Sequence, residues 1–129
     1  MKGYVQNIEK LTVENDNYRK VLYTGKHMQL VLMTLQPGEE IGLEQHEGHD
    51  QFFRIEEGQG RATIDDNTYD IQDDDAIIVP AGAWHNVINT GTSQLRLYTL
   101  YAPPEHREGV LHPTKADDRE EHFDGTTTE

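Results

Sequence analysis

Between about residues 28 and 101 this chain is a succession of short apolar runs cut by turn-forming residues. No other feature limits its fold as strongly. Pro37-Gly38 ends the run 27–35, and Gly58 and Gly60 stop the run 52–55. Asp65-Asp66-Asn67 separates 61–64 from 68–71, Pro80 closes 76–79, and Asn89-Thr90-Gly91-Thr92 separates 85–88 from 95–101. Many short strands at this spacing predict an all-β sandwich or barrel. The segments 65–67 and 89–92 have the composition of hairpin turns. The run 27–35 is apolar on both faces, with Met28, Leu30 and Leu32 on one side and Val31, Met33 and Leu35 on the other, so it is expected to be buried.

The two ends read differently. Residues 1–26 carry Val5, Ile8, Leu11, Val13, Val21 and Leu22 without a clean period, and one or two strands are expected there. After Pro103-Pro104 the chain turns polar. Thr114 followed by Asp117 has the pattern of a helix-capping box, with Asp in place of Glu. We therefore divide the chain into a barrel with N-terminal strands, residues 1–113, and an acidic tail, residues 114–129. Residues 116–121 of that tail are expected to be solvated, and 125–129 frayed.

With 129 residues and a formal net charge of −13, the chain suits one domain that phosphate backbones and anionic membrane surfaces repel. Nucleic acid and lipid are thus poor partners. No run approaches the length of a membrane-spanning helix, and the first residues lack the apolar stretch of a secretory signal, so a cytoplasmic location is the default. The absence of cysteine removes disulfides, thiolate ligands and cysteine nucleophiles.

The chemistry lies in two stretches. Glu44 and His46 are two apart on a strand and share a face. Gln51 has the opposite parity to His46, but Glu47-Gly48-His49-Asp50 contains turn formers that can reset it, placing Gln51, Phe53 and Ile55 inward together. In the second stretch Pro80 and Gly82 deliver His85 into a strand on the face of Val87. Two imidazoles, a carboxylate and a carboxamide suit a hard or borderline divalent metal, provided that the sheet curves enough to bring them together. His49 is expected as a solvated turn residue, Trp84 as packing or a pocket wall, and His106, Arg107 and His112 as loop residues beyond the barrel.

These spacings resemble the two motifs of the cupin family. Gly38, Glu44, His46, Gln51 and Gly58 fall on the positions of the first motif, and Asp74, Pro80, Gly82, His85 and Asn89 on those of the second. Glu44 stands where a histidine is usual, Gln51 where a glutamate is usual, and Asp74 where a glycine is usual. The resemblance covers about residues 30–101. It implies a jelly-roll β-barrel with one divalent metal ion inside (zinc, manganese, iron or nickel), held by Glu44, His46, Gln51 and His85. It also implies a small-molecule substrate or ligand and a homodimer paired through sheet edges. The leading activity is isomerase-like Lewis-acid chemistry on a sugar or sugar acid. A metal-dependent dioxygenase and a non-catalytic binding or sensing module are the alternatives.

Overall fold

The computed structural model describes residues 1–129. The chain forms one short helix and ten strands: α1 (Ile8–Glu14), β1 (Arg19–Thr24), β2 (Gln29–Leu35), β3 (Glu44–Gln45), β4 (Asp50–Glu57), β5 (Gln59–Ile64), β6 (Asn67–Gln72), β7 (Ala76–Val79), β8 (Trp84–Asn89), β9 (Leu95–Ala102) and β10 (Leu111–His112). A 3-10 turn follows at Lys115–Asp117. Two antiparallel sheets face each other, in the orders β10-β1-β2-β9-β4-β7 and β3-β8-β5-β6. This is a jelly-roll barrel: the turn spacing predicts an all-β sandwich or barrel, and the resemblance implies the jelly roll. No helix is long and apolar enough to cross a membrane.

Alternation sets what lies between the sheets. Val31, Leu35, Phe53, Ile55, Leu95 and Leu97 are fully buried, and Val87 and Ala62 meet them from the other sheet. Each large apolar side chain among them contributes about 1.5–3 kcal/mol relative to an exposed position. α1 packs on the larger sheet over β9 and β4. Leu32 is buried while Met28 is half exposed, and Asn15, just after the helix, donates to Thr34 Oγ1 at 3.1 Å.

Three expectations need correction. Residues 8–14 are a helix, not a strand: Ile8, Leu11 and Thr12 lie on one side of it, and Asn7 caps it by accepting from the Lys10 N–H at 3.0 Å. Residues 89–92 do not close a hairpin. β8 pairs with β5 and β3, whereas β9 pairs with β2 and β4, so the segment crosses from one sheet to the other. Turn residues signal a reversal, not which strand becomes the neighbour. Asn89 holds this crossover by donating to the carbonyls of Leu35 and Ser93, both at 2.9 Å.

The tail is the third correction. Most of its side chains are exposed, but its backbone is tied down. The Arg107 N–H donates to Glu121 O at 2.8 Å, the Phe123 N–H to Glu105 O at 2.9 Å, and the Thr128 N–H to Thr24 O at 2.9 Å. Thr114 does close on Asp117, its backbone N–H and hydroxyl donating to the carboxylate at 2.9 and 2.8 Å.

Two backbone positions confirm the motif spacing. Gly58 has φ +110°, and a Cβ there would lie 2.6 Å from Gln94 O, so only glycine fits. Asp74, on the position where the family motif has glycine, takes the left-handed φ of 74° that glycine favours.

Candidate metal centre

β3 and β8 pair antiparallel with Glu44 directly opposite His85, so the two side chains share one face of the smaller sheet. The turn after β3 resets the parity as expected. Gln51, Phe53 and Ile55 all point inward from β4, with Gln51 opposite Tyr101 of β9. The loops are stitched together. The Gly82 N–H donates to His46 O at 3.0 Å, Gln45 Nε2 to Gly82 O at 2.9 Å, and the Ala81 N–H to Asp50 Oδ1 at 2.8 Å. The segments that carry His46, Gln51 and His85 are therefore fixed to one another through backbone groups.

Glu44, His46 and His85 form a cluster whose potential ligand atoms all lie within 4.8 Å of one another. His46 Nε2 is 3.2 Å from Glu44 Oε2, and His85 Nε2 is 3.8 Å from the same oxygen. His85 Nδ1 lies 3.1 Å from Ala83 O. A carbonyl only accepts, so Nδ1 carries the proton and Nε2 is a bare lone pair. That Nε2 is buried and has no hydrogen-bond partner. Gln51 repeats the pattern. Its Nε2 donates to Thr99 Oγ1 at 3.0 Å, while its Oε1 is buried without a partner.

Buried acceptors left without a partner are costly, and one of them, His85 Nε2, lies 3.8 Å from the Glu44 carboxylate. Glu44, His46 and His85 thus fit a divalent ion. Burial lowers the basicity of His85, which keeps its lone pair free, whereas the hydrogen bond to Glu44 raises that of His46.

Beyond the cluster lies a ring of groups that sequence reasoning placed in loops. Glu105 receives His49 Nε2 at 2.9 Å and His122 Nδ1 at 3.3 Å, and His46 Nδ1 is 3.8 Å away. His49 is therefore held between Glu105 and the Pro103 carbonyl and is not a free turn residue. His106 Nε2 is 3.2 Å from the Tyr101 hydroxyl. Arg107 points elsewhere, to Glu121 at 3.1 Å. Trp84 is half exposed, beside Leu43, Asp65 and Asp66 and apart from the cluster. Arg19, Tyr101 and tail residues Asp118 and Glu121 join Glu44 and His46 around a cavity of about 320 Å³. For Arg19 a signal was available, since it shares the inward parity of Val21; for Glu105 there was none, because its partners come from distant segments.

The sequence profile of the cupin domain matches residues 31–101, more than half of the chain. This chain belongs to the cupin family. The cupin is 50% identical over 122 residues to YrkC of Bacillus subtilis (strain 168), covering 90% of this chain and 66% of that protein's length. Among solved structures it is similar to BH2720 of Bacillus halodurans, with 47% identity, a TM-score of 0.88, and coverage of 90% of this chain and 92% of that one. A protein of Thermotoga maritima titled a predicted oxalate decarboxylase is 27% identical, with a TM-score of 0.58, covering 60% and 68% of the two chains. Glu44 and Gln51 set this cupin apart from the usual motif, in which those positions are histidine and glutamate.

Proposed function

We propose that this cupin holds one divalent metal ion through Glu44, His46, Gln51 and His85, and uses it to act on a small oxygenated molecule such as a sugar or sugar acid. The observation that carries this reading is the Glu44–His46–His85 cluster, with ligand atoms within 4.8 Å of one another and His85 Nε2 buried and unpartnered; Gln51, whose Oε1 is likewise buried and unpartnered, is the fourth ligand by its motif position. A bound ion would supply Lewis acidity, polarising a substrate carbonyl or hydroxyl oxygen. With only Glu44 charged among the four ligands, just one of a dication's two positive charges would be neutralised, which favours that polarisation.

The protein's own groups do the rest. The Ala83 carbonyl fixes the tautomer of His85, and Thr99 fixes the carboxamide of Gln51. Were Glu44 free of the ion, its carboxylate, which lines the cavity, would instead move a proton between neighbouring carbon or oxygen atoms of the substrate. Tail residues 118–122 supply part of the cavity wall.

Metal analysis of the purified protein tests the reading. One zinc, manganese, iron or nickel ion per chain is expected, with loading sharply reduced in His46→Ala and in His85→Ala. Full loading of the double variant would refute the assignment.

A further inference from the structure

Arg19 is an unusual residue to find inside a barrel. It lies opposite Met33 in the β1–β2 ladder, on the core-facing side, and is 3% exposed. One end of its guanidinium, Nη1, meets His112 Nδ1 at 3.1 Å and the carboxylate of Asp118. Its Nε is buried with no partner. The guanidinium carbon is 5.2 Å from the centre of the Tyr18 ring. Yet the cavity that Arg19 lines also contains Glu44 and His46.

The carboxylate that answers this charge does not come from the barrel. Asp118 belongs to the tail, and its side chain is 36% exposed while that of Arg19 is 4% exposed. A buried guanidinium is costly to leave unpaired. An exposed strap residue is a replaceable partner for it, because any carboxylate of suitable reach can take the same place. Such an exchange is neutral in charge: one carboxylate leaves Arg19 as another arrives. A guanidinium also presents a planar fork of donors that matches a carboxylate. The Nε–H has no partner of its own and belongs to the same conjugated fork, so its signal reports which carboxylate the guanidinium holds.

We propose that Arg19 is the anchor for a carboxylate on the small molecule this cavity takes, and that Asp118 stands in for that carboxylate in the free protein. This rests on the metal-centred reading above and narrows it to hydroxy or oxo acids. The acid group sits on Arg19, and a second oxygen faces Glu44 and His46. The cavity, with Tyr101 its one apolar wall, suits such a polar molecule, and its size is at the lower end for small-ligand sites.

The test uses glycolate, the smallest hydroxy acid, against its neutral counterpart ethylene glycol. The reporter is the Nε–H signal of Arg19 in nitrogen-15 NMR, assigned by its loss in Arg19→Gln. In Asp118→Asn, glycolate should bind about tenfold tighter or more than in the parent, the scale of one charge-assisted hydrogen bond, and should move the Arg19 signal. Ethylene glycol should move nothing. Asp118→Ala repeats the measurement, and thermal melts establish that both variants are folded. Unchanged or weaker glycolate binding in the two variants, or an Arg19 signal that glycolate leaves still, would overturn the proposal. Each titration is run on zinc-loaded and on chelator-treated protein. If zinc fails to bind while Arg19 still answers glycolate, the metal assignment alone falls. If zinc binds and Arg19 stays silent, the anion site alone falls.

Discussion

Replacing Gln51 by methionine separates a metal ligand from a structural amide. The side chain is 3% exposed. It makes one hydrogen bond, Nε2 to Thr99 Oγ1 at 3.0 Å, and leaves Oε1 buried and unpartnered. Losing that bond leaves the buried Thr99 hydroxyl without its partner, at a cost of about 1–3 kcal/mol, whereas removing the buried orphan acceptor returns about the same. Methionine is unbranched and of similar length, so little packing is lost. The metal-free variant is therefore expected to be about as stable as the parent. With zinc in excess it should be the less stable of the two. A tenfold weaker site forfeits about 1.4 kcal/mol of the stability that the ion confers, and a thioether is a poor substitute ligand for zinc. Urea unfolding of both proteins, with chelator and with excess zinc, yields the four free energies. A variant that is less stable without metal, yet gains as much from zinc as the parent, would show that Gln51 only packs. The site would then rest on Glu44, His46 and His85.

Three further outcomes are expected. Gly58→Ala should cost about 3 kcal/mol in urea unfolding, since it combines a positive φ with a Cβ 2.6 Å from Gln94 O. Burial and the nearby Arg19 push His106 down to about 2, so the folded protein keeps it neutral where the unfolded chain takes up a proton. Its contribution is complete above about pH 6.5 and is lost as the pH falls below that, by up to about 1.4 kcal/mol per pH unit; urea unfolding of His106→Phe across this range should show a shallower slope. A homodimer is expected in light scattering, because the edge strands β7 and β6 expose Ile78 and Tyr69 around an apolar groove; Ile78→Asp should yield monomers.

What local chemistry encodes was legible in the sequence. The strand ends follow glycine, proline and aspartate, and the reset of parity between His46 and Gln51 follows from Gly48 and its neighbours. Asp74 could be placed in a turn, and it is one of the few residue types that tolerate the left-handed backbone found there. What depends on distant partners was not legible. α1 is too short to show a period. Nothing near residues 89–92 reveals that β8 and β9 belong to different sheets. The acidic tail has the composition of a solvated segment, yet its backbone bonds to residues 24, 105 and 107, which only the folded barrel brings near. Arg19 could be placed inward from its parity with Val21, but its partners Asp118 and His112 come from distant segments.

The crossover between β8 and β9 has a kinetic consequence. Leu35 must find Leu95, and Glu44 must find His85, before either sheet is complete. Pairings so remote along the chain place folding in the slow class, milliseconds to seconds, and delay the arrival of the four inward donors to the end of the process. An ion therefore cannot template the barrel as it does a zinc finger. Uptake should follow folding, so that chelator-treated protein refolds at the same rate with or without zinc while its unfolding slows in zinc.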